Sequence, residues 1–146
     1  MKIHNLLIAA GFISAVATNA APAFDQAQYQ SVKQGQGDCP WCDLSGADLA
    51  NLKLSGADLG GADLTEADLT GAVLTKVDLS GADLTGAVLT GADLSGTDLT
   101  GADLDQVDLS GAVLEGTILE KAYCDWGTKL PEGSGLVCVG VAIERQ

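Results

Sequence analysis

Leucine falls on every fifth residue from Leu44 to Leu119, sixteen times without a break. No regular element gathers such a pattern on one side. A five-residue step turns about 140° around an α-helix, so the leucines would scatter over its whole surface. In a straight strand an odd step sends successive leucines to opposite faces. The backbone must therefore turn once per repeat. Two residues before each leucine stands a mostly small residue, alanine in ten repeats, and between the two stands aspartate in eleven. Positions two apart in a short extended stretch point the same way, so alanine and leucine face inward and aspartate outward. The Ser/Thr–Gly pair that usually follows is turn chemistry. Each pentapeptide is thus predicted to be one side of a polygon plus its corner. Stacked coils then close a common aliphatic core, as in a β-helix.

Outside the repeats the pattern changes. Residues 1–23 carry a short basic start, an apolar run from Leu6 to Val16 and small residues ending at Ala23. That is the tripartite form of a secretory signal peptide, with the cut expected after Ala23, or alternatively after Ala20. The run is too short to span a bilayer, which takes about 20 residues. The first cysteine, Cys39, is too distant from the cut for a lipid anchor. The protein is expected to be periplasmic or secreted, with no membrane attachment after cleavage. Residues 24–41 are expected to form an N-terminal cap, residues 42–121 the repeats and residues 122–146 a C-terminal cap. In the first cap, FDQAQYQSVKQ (24–34) reads as a short helix, with Asp25 near its start and Phe24, Ala27 and Val32 on one face. In the second, LVCVGVAI (136–143) reads as a strand covering the last coil. Bare solenoid ends expose leucines and strand edges, so an end-to-end homodimer is a further expectation.

The strings GADLS, GADLT and GAVLT, repeated from Cys42 to Lys121, resemble the pentapeptide repeat family. Sixteen unbroken copies make the resemblance specific, and it covers a little over half the chain. It implies an all-β architecture: a right-handed quadrilateral β-helix with four repeats per coil. Sixteen repeats then build four coils, a tower about 19 Å tall at about 4.8 Å per coil. The Thr-Lys-x-Pro-x-Gly stretch after the repeats is similar to the tail of many family members.

Four repeats per coil stack positions twenty apart, which decides where the charge goes. One column is wholly acidic: Asp43, Asp63, Asp83 and Asp103. The second is Asp48, Asp68, Val88 and Asp108. The third, Lys53, Val73, Asp93 and Val113, is nearly neutral, and the fourth is Asp58, Asp78, Asp98 and Ile118. With 20 acidic against 7 basic residues the chain carries −13, a surface that repels nucleic acid and anionic lipid. The acidic column has three readings. It is a solvated wall whose aspartates also bond local backbone, or it binds calcium or another cation, or it imitates duplex DNA. Calcium wants six to eight converging oxygens, more than a flat ladder offers. Some family members are similar rods that bind DNA gyrase as DNA mimics. This chain departs from them in its leucine-only inward position, its four coils and its leader.

The remaining chemistry is sparse. CPWC (39–42) has the C-x-x-C spacing of thioredoxin-like redox sites, but it lacks the βαβ context, and Cys42 falls in the inward register before Leu44. A structural disulfide clasping the cap to the first coil is the favoured reading, over a redox or metal site. Cys124 takes the leucine position of a would-be seventeenth repeat, with Cys138 in the terminal strand. Of three pairings, position at opposite ends favours Cys39 with Cys42 and Cys124 with Cys138. The lone histidine, His4, goes with the leader, and repeat serines such as Ser80 and Ser110 have no base to activate them. Trp41 and Trp126 are expected to pack in the caps. No catalytic residue, metal ligand or cofactor is predicted. The sequence reads as an exported, non-catalytic scaffold or protein-interaction surface with an unidentified protein partner, an acidic cation-binding protein being the alternative.

Overall fold

The computed structural model describes residues 25–35, 37–139 and 142–145. The leader reading, at 1–23, and Phe24 lie outside them. The repeats wind into a parallel coil whose rungs pair residues twenty apart, from Asp43 with Asp63 through Asp103 with Tyr123. Twenty residues per coil is four sides of five. Each side contributes a short extended rung bonded to the coils beside it. Leu44 N–H donates to Asp63 C=O at 2.8 Å, Gly46 N–H to Thr65 C=O at 2.7 Å, and Asp63 N–H to Cys42 C=O at 2.9 Å. The corner between sides is a tight turn, with Ala47 N–H donating to Leu44 C=O at 3.0 Å. Its third residue is left-handed at every corner from Gly46 to Lys121, with φ between 56° and 74°, the requirement of a type II turn.

Alanine and leucine face inward as the register predicts. The fifth-position leucines from Leu44 to Leu109 are all buried, and Leu52, at an inward small-residue position, is partly buried. Leu114 and Leu119 are only partly buried, a correction to the expectation of sixteen interior leucines, because no full coil lies beyond them to cover their outer side. Thr97 and Thr117 take inward alanine positions. Each hydroxyl donates to a leucine carbonyl, Thr97 Oγ1 to Leu74 at 2.6 Å and Thr117 Oγ1 to Leu94 at 2.8 Å, so neither strands a buried polar group.

Four corners show how neighbouring coils fit together. Trp41, Asn51, Glu66 and Lys76 hold the left-handed position with side chains, and one coil later each is followed by glycine: Gly61, Gly71, Gly86 and Gly96. A methyl group on Gly61 would overlap the six-membered ring of Trp41, whereas one on Gly81 would meet nothing within 4 Å. Both substitutions carry the left-handed penalty of about 1–2 kcal/mol, and only Gly61→Ala also collides. In urea titrations Gly61→Ala should destabilise more than Gly81→Ala, and Trp41→Ala should abolish the difference. Equal losses at both glycines in the parent protein would disprove this corner packing.

The N-terminal cap is helix α1 (Gln26–Lys33), with Asp25 at its N-cap accepting from Ala27 N–H at 2.8 Å and Gln28 N–H at 3.2 Å. Tyr29 and Val32 are buried and Ala27 is exposed. The inward face is therefore set by Tyr29 rather than Ala27, because the tyrosine ring covers the first coil while its hydroxyl reaches Asp48 C=O at 3.1 Å. Other cap groups seal the first coil's edge. Asp25 N–H donates to Asp43 C=O, and Asp43 N–H to Gln28 Oε1, both at 3.1 Å. Cys39 N–H reaches Asp58 C=O at 2.7 Å and Trp41 N–H reaches Gly60 C=O at 2.9 Å.

Beyond Lys121 the coil continues for two more sides. Ala122 and Cys124 are buried in repeat register. A corner longer by one residue then leads to Thr128-Lys129-Leu130, so Lys129 pairs with Asp108 at a spacing of 21. Thr128 Oγ1 donates to Leu104 C=O at 2.8 Å, as the buried threonines of the coil do. Leu136 to Ile143 is not one strand but parts of two, β1 (Leu136–Cys138) and β2 (Ile143–Arg145), paired antiparallel. Val139 N–H donates to Ala142 C=O at 2.8 Å across the reversal.

Candidate functional site

The outer wall carries the charge. The rungs bring Asp43, Asp63, Asp83 and Asp103 into one column, with Tyr123 stacked beyond. The other three columns also have the composition set by the twenty-residue period, and Lys129 extends the second.

The wall aspartates are held by their own backbone. In all eleven repeats that have one, Oδ1 accepts the N–H two residues on, from Asp43 with Ser45 at 3.1 Å to Asp108 with Ser110 at 3.0 Å. This is an Asx turn repeated around the tower. Around Asp83, the rungs satisfy the amides of Asp83, Leu84 and Gly86, the corner bond that of Ala87, and the aspartate that of Thr85 at the start of the corner. Ser45, Thr65 and Ser95 add their hydroxyls to the same oxygens.

These bonds favour the ionised form. The hydroxyls and then the amides of Thr70, Ser80 and Ser95 hold Asp68, Asp78 and Asp93 below the usual carboxylate range. Asp108 is pushed down to about 2, first by the Lys129 ammonium and then by Ser110. Lys129 Nζ lies 2.8 Å from Asp108 Oδ2. Asp105 moves the other way, raised by partial burial and by Asp103, Asp125 and Asp83 around it. Asp125 is lowered by accepting Gln106 N–H at 2.9 Å.

Among the described residues, no group of three or more His, Cys, Asp or Glu side chains is placed to hold a metal ion. None of their helices is long and apolar enough to cross a membrane. Cys39 is bonded to Cys42, and Cys124 to Cys138. The tryptophans depart from expectation. Trp126 is 97% exposed and Trp41 81%, because both sit at corners, where side chains project away from the core. Exposed Val113, Ile118 and Tyr123 join Trp126 around the C-terminal end. Cys124 is inward as a seventeenth side requires, but the sequence does not announce the eighteenth side, Thr128 to Leu130, except by Thr-Lys-Leu one residue out of register.

The family model for pentapeptide repeats matches residues 42–81 and 78–116. No curated protein matches the chain. The solved structures that the chain is similar to include two pentapeptide repeat proteins. HetL from Nostoc sp. strain PCC 7120, a pentapeptide repeat protein involved in heterocyst differentiation regulation, is 34% identical over 66% of this chain, with a TM-score of 0.53. A pentapeptide repeat protein from the thylakoid lumen of Arabidopsis thaliana is 33% identical over 66% of this chain and 69% of its own, with a TM-score of 0.60. The chain spans half the length of HetL. With four sides per coil, an inward leucine on every side and these matches, the tower is a right-handed quadrilateral β-helix, and the chain belongs to the pentapeptide repeat family.

Proposed function

We propose that this protein is an exported, non-catalytic scaffold that presents a surface to a protein partner. The observation that carries the reading is the commitment of all eleven wall aspartates to their own corners. Carboxylates that build the wall have a structural reason to recur, and no ligand is needed to explain them. Export is supported by the leader pattern of residues 1–23 and by two disulfides, which suit an oxidising compartment. N-terminal sequencing of the exported protein should begin at Phe24; an intact Met1 on cytoplasmic protein would overturn the localisation.

Cation binding is the competing reading, and a thermal titration separates the two. A cation that binds only the folded state raises stability by RT ln(1 + [L]/Kd). On the scaffold reading, submillimolar calcium leaves the melting temperature unchanged. Asp63→Asn/Asp83→Asn should raise it slightly at low salt, because asparagine keeps the Asx turn and removes like-charge repulsion. A calcium-dependent rise of several degrees, absent in the double variant, would replace scaffold with cation binding.

A further inference from the structure

The two ends of the tower are finished differently. At the N-terminal end, Asp25, Gln28, Tyr29, Cys39 and Trp41 bond the first coil's edge groups on three sides. At the C-terminal end, Tyr123 and Lys129 continue the ladder over the Asp103 and Asp108 sides. On the other two sides no described residue continues it. Earlier in their columns, Leu94, Gly96, Leu99 and Gly101 all donate N–H to the coil beyond. Their counterparts in the last coil, Leu114, Gly116, Leu119 and Lys121, donate to none of the described residues, and the carbonyls of Ala112 and Thr117 accept from none. No described residue of the β1–β2 hairpin bonds these groups. Leu130 and Ile143 pack on the end of the core, but Pro131 diverts the chain from the ladder.

A groove runs along one of these open sides. It consists of two clefts of about 420 and 230 Å³ that share Ala112, Pro131 and Glu132. The smaller is bounded by Leu114 and Leu136 and offers apolar contact to one side chain. Val113, beside it, is 47% exposed. An unpaired row of N–H and C=O groups is a template for another strand, and a groove beside it selects that strand's alternate side chains.

We infer that the Ala112–Gly116 edge binds an extended peptide segment of a partner protein by strand addition, and that this segment is basic as well as apolar. Three bonds are on offer: Ala112 C=O accepts, and Leu114 and Gly116 N–H donate. The occupant's charge follows from the surroundings. Glu132 lines the groove, Glu115 lies on the open side itself and Glu120 on the next, and the whole chain carries −13. That field attracts a Lys- or Arg-bearing strand and opposes a second copy of this chain. The inference adds a binding edge to the scaffold reading and does not depend on what the acidic columns do.

The test uses the full chain with three synthetic eight-residue peptides. One alternates valine with lysine, one alternates valine with glutamate, and one is the lysine peptide N-methylated at alternate residues on its hydrogen-bonding edge. Amide NMR should show the lysine peptide shifting Leu114 and Gly116 and slowing their hydrogen exchange. It should bind at least tenfold more tightly than either other peptide. Glu115→Lys/Glu132→Lys, two surface changes that leave the core intact, should reverse the preference between lysine and glutamate peptides. Shifts spread over the aspartate columns, or undiminished binding of the N-methylated peptide, would overturn the inference in favour of plain charge attraction. Protection of Leu114 and Gly116 that grows with protein concentration, without peptide, would overturn it in favour of a homodimer.

Discussion

Leu84→Ala should cost about 2–5 kcal/mol of folding stability, the range for emptying a buried leucine site. Leu84 is fully buried in the middle of the tower, with coils on both sides. Neither neighbouring coil can collapse into the void, because each is held at a fixed spacing by rung bonds such as Leu84 N–H to Asp103 C=O at 2.9 Å. Thr85, next along the chain, points outward and is the control. Thr85→Ala keeps the backbone amide that bonds Asp83 Oδ1 at 2.9 Å, so its effect should stay within about 0.5 kcal/mol. Urea unfolding of both variants checks the contrast, and equal losses would show the register to be wrong. Leu119→Ala should cost less than Leu84→Ala, since Leu119 is only partly buried.

Cys138→Ala should cost about 3 kcal/mol, the chain-entropy value for a loop of about 15 residues. The Cys124–Cys138 bond ties β1 to the end of the core, over a separation of 14 residues. Cys39→Ala opens a separation of only three residues and should cost about 2 kcal/mol on the same model. Hydrogen exchange gives a second readout. Cys138→Ala should speed exchange at Leu109, whose N–H bonds Lys129 C=O, far more than at Leu64. An unchanged midpoint and unchanged exchange in Cys138→Ala would remove the disulfide from the stability of this end.

The core was legible because the chain states it sixteen times. Alanine and leucine two apart, with a turn pair after them, allow one inward direction per side. The corners were half legible: glycine announces most of them, but Glu66, Lys76 and Gln106 adopt the same left-handed conformation without being glycine. At these three the fixed spacing of rungs imposes the turn against local preference. In the caps the short helix, its Asp25 cap and both cysteine pairs were legible, but the buried face of α1 and the C-terminal hairpin were not. Choosing Ala27 over Tyr29 for the buried face of α1 follows from a period drawn on a short helix, where an error of two residues turns the face by about 200°.

By itself the sequence determined the five-residue side, the inward alanine and leucine, the outward aspartates and, through the family resemblance, the four-sided coil. These are local or strictly periodic properties, so each repeat confirms the next. Only the tertiary structure decided that every wall aspartate closes its own corner, that Gly61 and Gly71 make room for the side chains of Trp41 and Asn51 one coil earlier, and that Thr128-Lys129-Leu130 rejoins the coil after an extra residue. Only it showed that the first coil's edge is sealed on three sides while no described residue pairs with two sides of the last coil. The reason is physical: these features depend on which backbone groups of one coil meet the next, and contacts across twenty or more residues leave no mark in any single pentapeptide.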